Sequence, residues 1–277
     1  MIYLDFNNKM KKNSINLLFS DWRAGERVAF FSPHDDDVVL GAGYLVLAVI
    51  KSKGLPYVFV FCRGDAGYSE IDKKEEIVKV RRIETIEAYR KIGVPEDRIY
   101  FFDIPDFSLM SYLDRINKEK RKGLFEPILH ILRKEKISRV VFSSGDYEHW
   151  DHTAAFYFGL YVTPQAQDPI LVDLGRPVRL KSFLAYSVWS DFEFRPEKKG
   201  LNADLGILAE REDESKIMEA LRTFKSQGNI IQNIVRQRSK RKINNLYLEV
   251  YKKINLRRPI DYRPYFKVIH ELLIGKS

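Results

Sequence analysis

The chain reads as an α/β protein, a Rossmann-like, doubly wound and mostly parallel sheet with a C-terminal extension. Three observations predict this. Short runs rich in Val, Phe and Tyr alternate with longer segments of helical spacing. The alternation holds from about residue 27 to about residue 165. Four strand candidates each open into a polar segment, as expected where ligands gather beyond the carboxyl ends of parallel strands.

The elements follow in order. Arg27–Ser32 (RVAFFS) is an apolar run stopped by Pro33, a buried strand. Gly41–Lys53 carries apolar residues at helical spacing up to the stop signal Gly54-Leu55-Pro56. Tyr57–Cys62 (YVFVFC) is a second strand, and Lys73–Ile92 a charged amphipathic helix closed by Gly93. Arg98–Phe102 is a third strand, Leu124–Lys136 a helix, Ser138–Ser143 a fourth strand and His152–Tyr161 a helix. Beyond this the pattern loosens to a strand at Leu180–Trp189, a helix at Asp213–Lys225 and a late strand at Leu246–Tyr251. No repeat, low-complexity tract or linker interrupts it. The expectation is one domain over residues 1–277, with a core at about 27–165 and an extension at about 166–277.

With 277 residues, 45% hydrophobic and 31% charged, the composition is globular. The single cysteine, Cys62, excludes a disulfide framework. Met1–Lys12 lacks the apolar core of a signal peptide, and the longest apolar run, Leu45–Ile50, is too short for a bilayer. A cytoplasmic protein with no transmembrane segment is expected. The net charge of +9 is concentrated in Arg236–Lys242 and Lys252–Arg258. These runs read first as a solvated helix face, and a basic nucleic-acid-binding protein is the non-enzymatic alternative. The aromatics do not interleave with the runs as in RNA readers, so no nucleic-acid partner is expected. Gly41-Ala42-Gly43 has Val46 where a dinucleotide fingerprint needs a third glycine, and reads as close helix–sheet packing. There is no phosphate-binding G-x-x-x-x-G-K-[ST] loop, H-E-x-x-H helix or G-x-S-x-G elbow.

The chemistry concentrates in two strand-end segments. The first strand runs into Pro33-His34-Asp35-Asp36-Asp37 and the fourth into Tyr147-Glu148-His149-Trp150-Asp151-His152. Three of the five histidines fall there; His130 and His270 sit in apolar helical patterns and read as buried or half-buried. Carboxylates this close raise one another's pKa unless a cation compensates. His34, Asp37 and His152 form a two-histidine, one-carboxylate set, which in catalytic zinc sites leaves a position open for water and lowers that water's pKa to roughly 7. Asp36, beside a ligand, is placed to accept the water's proton. The competing reading of Asp35–Asp37 is a helix N-cap. A two-metal phosphoesterase is the alternative enzyme.

These residues resemble the paired motifs of the LmbE-like, or PIG-L-type, de-N-acetylases, usually (Ala/Pro)-His-Pro-Asp-Asp-Glu and His-Pro-Asp-His. Cys62-Arg63-Gly64-Asp65, Val80-Arg81-Arg82-Ile83-Glu84 with Ile92-Gly93-Val94, Pro105-Asp106, and Lys216 with Lys225-Ser226-Gln227 are similar to further family segments, in order, from about Arg27 to Tyr251. The resemblance implies a Zn²⁺-dependent amide hydrolase, with one ion per chain, that removes an N-acyl group, foremost N-acetyl, from an amino sugar or sugar conjugate. It implies His34, Asp37 and His152 as metal ligands and Asp36 as general base. His149 becomes the acid or electrostatic stabiliser, its ring oriented by Asp151, and Tyr147 helps hold the oxyanion. Arg81 and Asp106 contact the sugar, and Arg63 and Asp65 are substrate-binding residues beside them. A trimeric or hexameric assembly is implied as well. Asp35 and Trp150 stand where proline is usual, and Val38 where glutamate is usual, which removes a polar group expected near the mouth of the site. Trp150 offers a face on which a sugar can stack.

Overall fold

The computed structural model describes residues 1–115, 123–146, 148–193 and 201–274. Strands β1 (Ile2–Asp5) and β2 (Met10–Lys12) precede β3 (Arg27–Ser32). Helix α1 (Asp37–Lys51) leads to β4 (Leu55–Cys62), α2 (Ile77–Lys91) to β5 (Ile99–Ile104), and α3 (Phe125–Lys134) to β6 (Arg139–Ser143). Helix α4 (Trp150–Tyr157) continues into a π-helical turn (Phe158–Val162) before β7 (Ser182–Tyr186). Then come β8 (Leu205–Ala209), α5 (Arg211–Leu221), α6 (Gly228–Gln237), β9 (Lys242–Ile243), β10 (Leu246–Ile254) and α7 (Arg263–Ile274).

The strands form one sheet in the order β2-β1-β8-β10-β7-β6-β3-β4-β5, with β9 paired to β10. The segment β7-β6-β3-β4-β5 is parallel and the rest antiparallel. The parallel strands are buried on both faces, which is why they read as unbroken apolar runs. Along β3, Val28 and Phe30 join one core layer with Tyr89 of α2 and Ile217 of α5; Ala29 and Phe31 join the other with Leu129 of α3 and Ala154 of α4. Helices therefore cover both faces. From β3 the chain first builds outward through β4 and β5, then returns to the opposite side of β3 with β6. The strand order reverses between β3 and β6, where a crevice opens at the carboxyl ends.

Several elements depart from the sequence reading. α1 starts at Asp37 rather than Gly41, and Lys73–Ile92 becomes helical only from Ile77. The polar-looking N-terminal segment forms β1 against β8, with Tyr3 and the carboxylate of Asp5 turned inwards. Inward Asp5 breaks the apolar alternation and hides the strand. His130 and His270 are exposed, not buried. Every residue of α7 is exposed. Among the described residues no helix is long and apolar enough to cross a membrane.

Glycine acts here as a spacer, as expected for Gly41-Ala42-Gly43. A Cβ on Gly41 would lie 2.4 Å from the Tyr186 ring of β7 and 2.7 Å from the Ser187 carbonyl, while one on Gly43 would lie 2.7 Å from Ile217 of α5. The motif thus serves helix–sheet and helix–helix packing together.

Candidate active site

β3 turns directly into α1 at the crevice. Ser32 Oγ donates to the His34 carbonyl and accepts the Val38 N–H at 3.3 Å, and the His34 N–H donates to Asp37 Oδ2 at 2.7 Å. Asp36 occupies the N-cap position of α1, but its side chain makes no capping bond. Capping therefore does not account for Asp36. From β6 the chain enters α4, whose N-cap is His149; its Nδ1 accepts the Asp151 N–H at 3.1 Å.

The two segments meet. His152 Nε2 lies 3.1 Å from Asp37 Oδ2, and His34 Nδ1 lies 3.4 Å from the same oxygen. The donor atoms of His34, Asp37 and His152 all fall within 4.8 Å of one another. His34 Nε2 faces Asp151 Oδ2 at 3.3 Å, and the Asp151 carboxylate also accepts the N–H groups of Phe107 (2.7 Å) and Leu109 (3.1 Å). His149 Nδ1 is 3.7 Å from Asp151. The carboxylate thus leans on His34, while the backbone N–H of Asp151 orients His149.

His152 and Asp37 are almost wholly buried. Glu148 Oε2 takes the His152 Nδ1 contact at 2.8 Å, which directs the unprotonated nitrogen of a neutral ring towards Asp37. That Nε2 is buried and has no hydrogen-bond partner. A nitrogen lone pair facing a carboxylate oxygen in a dry site demands a positive charge between them. Protonation is one answer: burial lowers the His152 imidazole, but the Asp37 charge outweighs it and pushes the pKa up to about 9. Burial likewise lowers His34, and the Asp151 and Asp37 carboxylates overcome it to hold the ring well above the ordinary histidine value. Burial raises Asp37, yet His152 and His34 hold it far below the carboxylate range. A divalent cation is the other answer, and two imidazoles with one carboxylate are the donors it requires. Asp36 is compensated less: burial, then the charges of Asp35 and Asp37, outweigh the nearby Arg81 and His34 and push it up to about 7.

Asp35 points elsewhere. Arg81 of α2 holds it with Nε at 2.9 Å and with Nη2, and Thr85 Oγ1 donates to it at 3.1 Å. This pairing leaves Asp36 and Asp37 as the carboxylates beside the histidines. Arg81 is buried but still lines the crevice with His34, Asp36, Asp37, Asp106 and His149, around a cavity of about 190 Å³. Its guanidinium is roofed by the 64–67 loop, where a Cβ on Gly67 would lie 2.1 Å from Nη1. Asp106 accepts the N–H groups of Gly64 (2.8 Å) and Ala66 (3.0 Å), and its own N–H donates to Asp65 Oδ1 (2.8 Å). Arg63 pairs with Asp65 at 2.7 Å, so these two staple the loops together and do not line the cavity.

Trp150 is 60% exposed and lines a neighbouring hollow rather than this cavity. Val38 is not near the mouth: it is fully buried in the core, because α1 already begins at Asp37. Tyr147 lies outside the described residues. The sequence reading missed Glu148, although it stands three residues from Asp151 in the quoted motif. It also missed the rim formed by Phe107, Trp189, Gln227 and Ile230. Gln227 Nε2 donates to the Gly67 carbonyl at 2.8 Å, and neighbouring Ser226 Oγ donates to Glu84 at 2.6 Å. This joins the α2 motif to the late Ser-Gln motif.

A parallel sheet with its polar crevice at the switch point defines the class: an α/β fold of the LmbE-like deacetylase type. Residues 29–162 match the model of the PIG-L family, GlcNAc-PI de-N-acetylase. No curated protein matches it. Among solved structures it is similar to N,N'-diacetylchitobiose deacetylase from Pyrococcus horikoshii (TM-score 0.66, 19% identity, 83% of this chain and 84% of that one covered). It is also similar to the 4-carboxy-2-hydroxymuconate hydratase GalB of Pseudomonas putida (TM-score 0.62, 17% identity, 85% and 99% covered). A zinc-inhibited form of teicoplanin deacetylase Orf2 matches with a TM-score of 0.54 at 16% identity, covering 83% and 99%. A deacetylase and a hydratase thus share this fold, and the site has to decide the reaction.

Proposed function

We propose that the chain is a metal-dependent amide hydrolase that removes an N-acyl group, foremost acetyl, from an amino sugar or sugar conjugate. The carrying observation is the convergence of His34, Asp37 and His152 beside a carboxyl group, Asp36, with a pKa near 7. His34, Asp37 and His152 would hold one zinc ion. Among the described residues the other donor groups, His34–His149–Asp151 and His34–Cys62–Asp106, both draw on His34, so no second group has ligands wholly its own, which favours a single-ion site over a two-metal phosphoesterase. When bound, such an ion supplies Lewis acidity for the amide carbonyl and for water.

The protein's own groups supply the rest. Asp36 accepts a proton from the attacking water and returns it to the leaving amine, for which a pKa near 7 is suited. Burial lowers His149 first, which keeps its ring neutral. Its Nδ1 accepts a backbone N–H, so its proton sits on Nε2 as a donor for the oxygen that gains charge. Asp106 and Arg81 form the polar wall facing a sugar ring. The PIG-L match and the deacetylase neighbour support this substrate class.

The test is amine release from a panel of N-acylated sugars, before and after metal stripping. Turnover should vanish on stripping and return with one equivalent of zinc. Asp36→Ala should keep the metal and lose about 10²–10⁴ in rate, while His34→Ala loses both. Full turnover by the stripped protein, or by Asp36→Ala, would overturn the assignment.

A further inference from the structure

The cavity beside His34 and Asp36 holds about 190 Å³, below the 300–1,000 Å³ usual for a small-molecule site. It accommodates the reacting group, and anything larger has to extend beyond it. A hollow of about 560 Å³, lined by Gly145, Asp146, Glu148, Trp150, Thr153, Tyr157 and Glu193, adjoins it on the α4 side. The two share one wall, His149.

The far wall is a helix face. Trp150, Thr153 and Tyr157 stand at positions i, i+3 and i+7 of α4, and Tyr161 follows in the π-helical turn. Trp150 is 60%, Tyr157 36% and Tyr161 66% exposed. The Tyr157 and Tyr161 rings lie 6.0 Å apart, centroid to centroid. At a rise of 1.5 Å per residue, Trp150 and Tyr157 are about 10 Å apart along the helix, a span longer than one sugar ring.

The chemistry of this wall selects the occupant. Among the described residues no aliphatic side chain lines the hollow. A lipid chain would call for aliphatic surface, and the core of a contact with a second protein copy is depleted of carboxylates. Flat rings interleaved with the Thr153 hydroxyl and the Asp146 and Glu193 carboxylates suit a pyranose, whose C–H face packs on an aromatic face while its hydroxyls reach polar rims.

We infer that α4 carries a saccharide track, on which further sugar units of a glycan chain stack against Trp150 and Tyr157 while its terminal N-acylated sugar sits beside Asp36. The inference rests on the hydrolase reading above and names its substrate class: an oligosaccharide rather than a lone amino sugar.

The experiment uses the zinc-loaded protein with N-acetylglucosamine and its linear β-linked trimer as probes. Amine release gives the ratio of kcat/KM for trimer over monomer, and calorimetry gives trimer binding separately. Wild type should favour the trimer. Trp150→Ala and Tyr157→Ala should each cut that ratio at least about threefold, and together about tenfold, acting through KM. Trimer binding should weaken in parallel, including in an Asp36→Asn background where turnover is cut about 10²–10⁴-fold. An unchanged ratio and unchanged trimer binding in both variants would overturn the track and leave the hydrolase reading standing. Loss of an oligomer in those variants, with trimer binding intact, would overturn it in favour of a copy–copy contact. Trimer binding that depends on both rings, with no amine released from either probe by the wild type, would sustain the track and count against the hydrolase reading.

Discussion

Replacing Glu148 by glutamine tests the site at the point where its geometry is most constrained. The carboxylate is fully buried and divides its work. Oε2 serves His152 Nδ1 at 2.8 Å; Oε1 accepts Ser187 Oγ (2.6 Å) and the N–H groups of Val188 (2.7 Å), Trp189 (2.8 Å) and Ser190 (3.0 Å). Glutamine has one acceptor oxygen and one NH₂ group. With its oxygen towards the loop, the NH₂ faces His152, which must then protonate Nε2 and lose the lone pair aimed at Asp37. With its oxygen towards His152, the NH₂ faces a cluster of donors. Either orientation leaves one set unmet. Loss of an outer partner of a metal-bound histidine costs about 10–100-fold in metal affinity, and stranding buried partners of a charge costs about 3–5 kcal/mol in the metal-free protein. Glu148→Gln should therefore show weaker zinc binding in chelator competition and a lower melting temperature without metal. Zinc affinity within twofold of wild type would refute the argument that His152 binds through Nε2.

Two further predictions concern the frame around the site. Gly41→Ala forces a methyl group against Tyr186 and the Ser187 carbonyl, where backbone cannot yield, and should destabilise by about 1–3 kcal/mol in urea unfolding; unchanged stability would show that α1 is free to move off β7. Glu26 is the pH-sensitive member of the far end of the sheet: burial raises its pKa, but bonds from Lys181 and Ser138 and the charge of Arg139 outweigh burial and hold it below the ordinary value. A depressed folded pKa means stability present above the unfolded value of about 4.3 and lost as pH falls through the folded one. The stability gap between wild type and Glu26→Gln should be largest at neutral pH and close under acid. A gap that stays constant down to pH 3 would remove Glu26 from the acid response.

Residues differ in how openly they announce their place. The parallel strands were legible because burial on both faces makes them continuously apolar. β8 was not, although Leu205–Ala209 is apolar, because Gly206 interrupts it; the ring of Phe6 would lie 2.8 Å from a Cβ there. The two strand-end segments, with His34 and His152 in them, could be picked out from composition and position alone. The partition of the aspartates could not, since it depends on Arg81, 46 residues away, selecting Asp35. Glu148 was hidden for a similar reason. A glutamate in a loop has no periodicity, and its role follows from a rotamer and from the loop after β7 that folds over it.

The same distance effect explains the basic run at residues 236–242, which reads as surface yet partly serves the interior. The helical path of α1 breaks at Ala42 (φ −136°, ψ 18°). The Leu40 carbonyl then accepts Arg238 Nη1 at 3.0 Å and Arg241 Nη2 at 2.9 Å, and the N–H groups of Tyr44 and Leu45 donate to Glu249 of β10 at 3.0 and 3.2 Å. Glu214 pairs with Arg238, and Glu249 with Arg241, so the charges balance in place. Buried ion pairs of this kind are weak evidence for net stability, because desolvation offsets their attraction. Their effect here is geometric. They fix the break between the short N-terminal arm of α1, which carries Asp37 and abuts Asp36, and the longer arm that packs on α5. Residues 214–249 thus help to aim a site whose histidines and carboxylates lie between 34 and 152. Arg238 and Arg241 are spent on this task and withdrawn from the surface, which weakens the case for a nucleic-acid partner at that run.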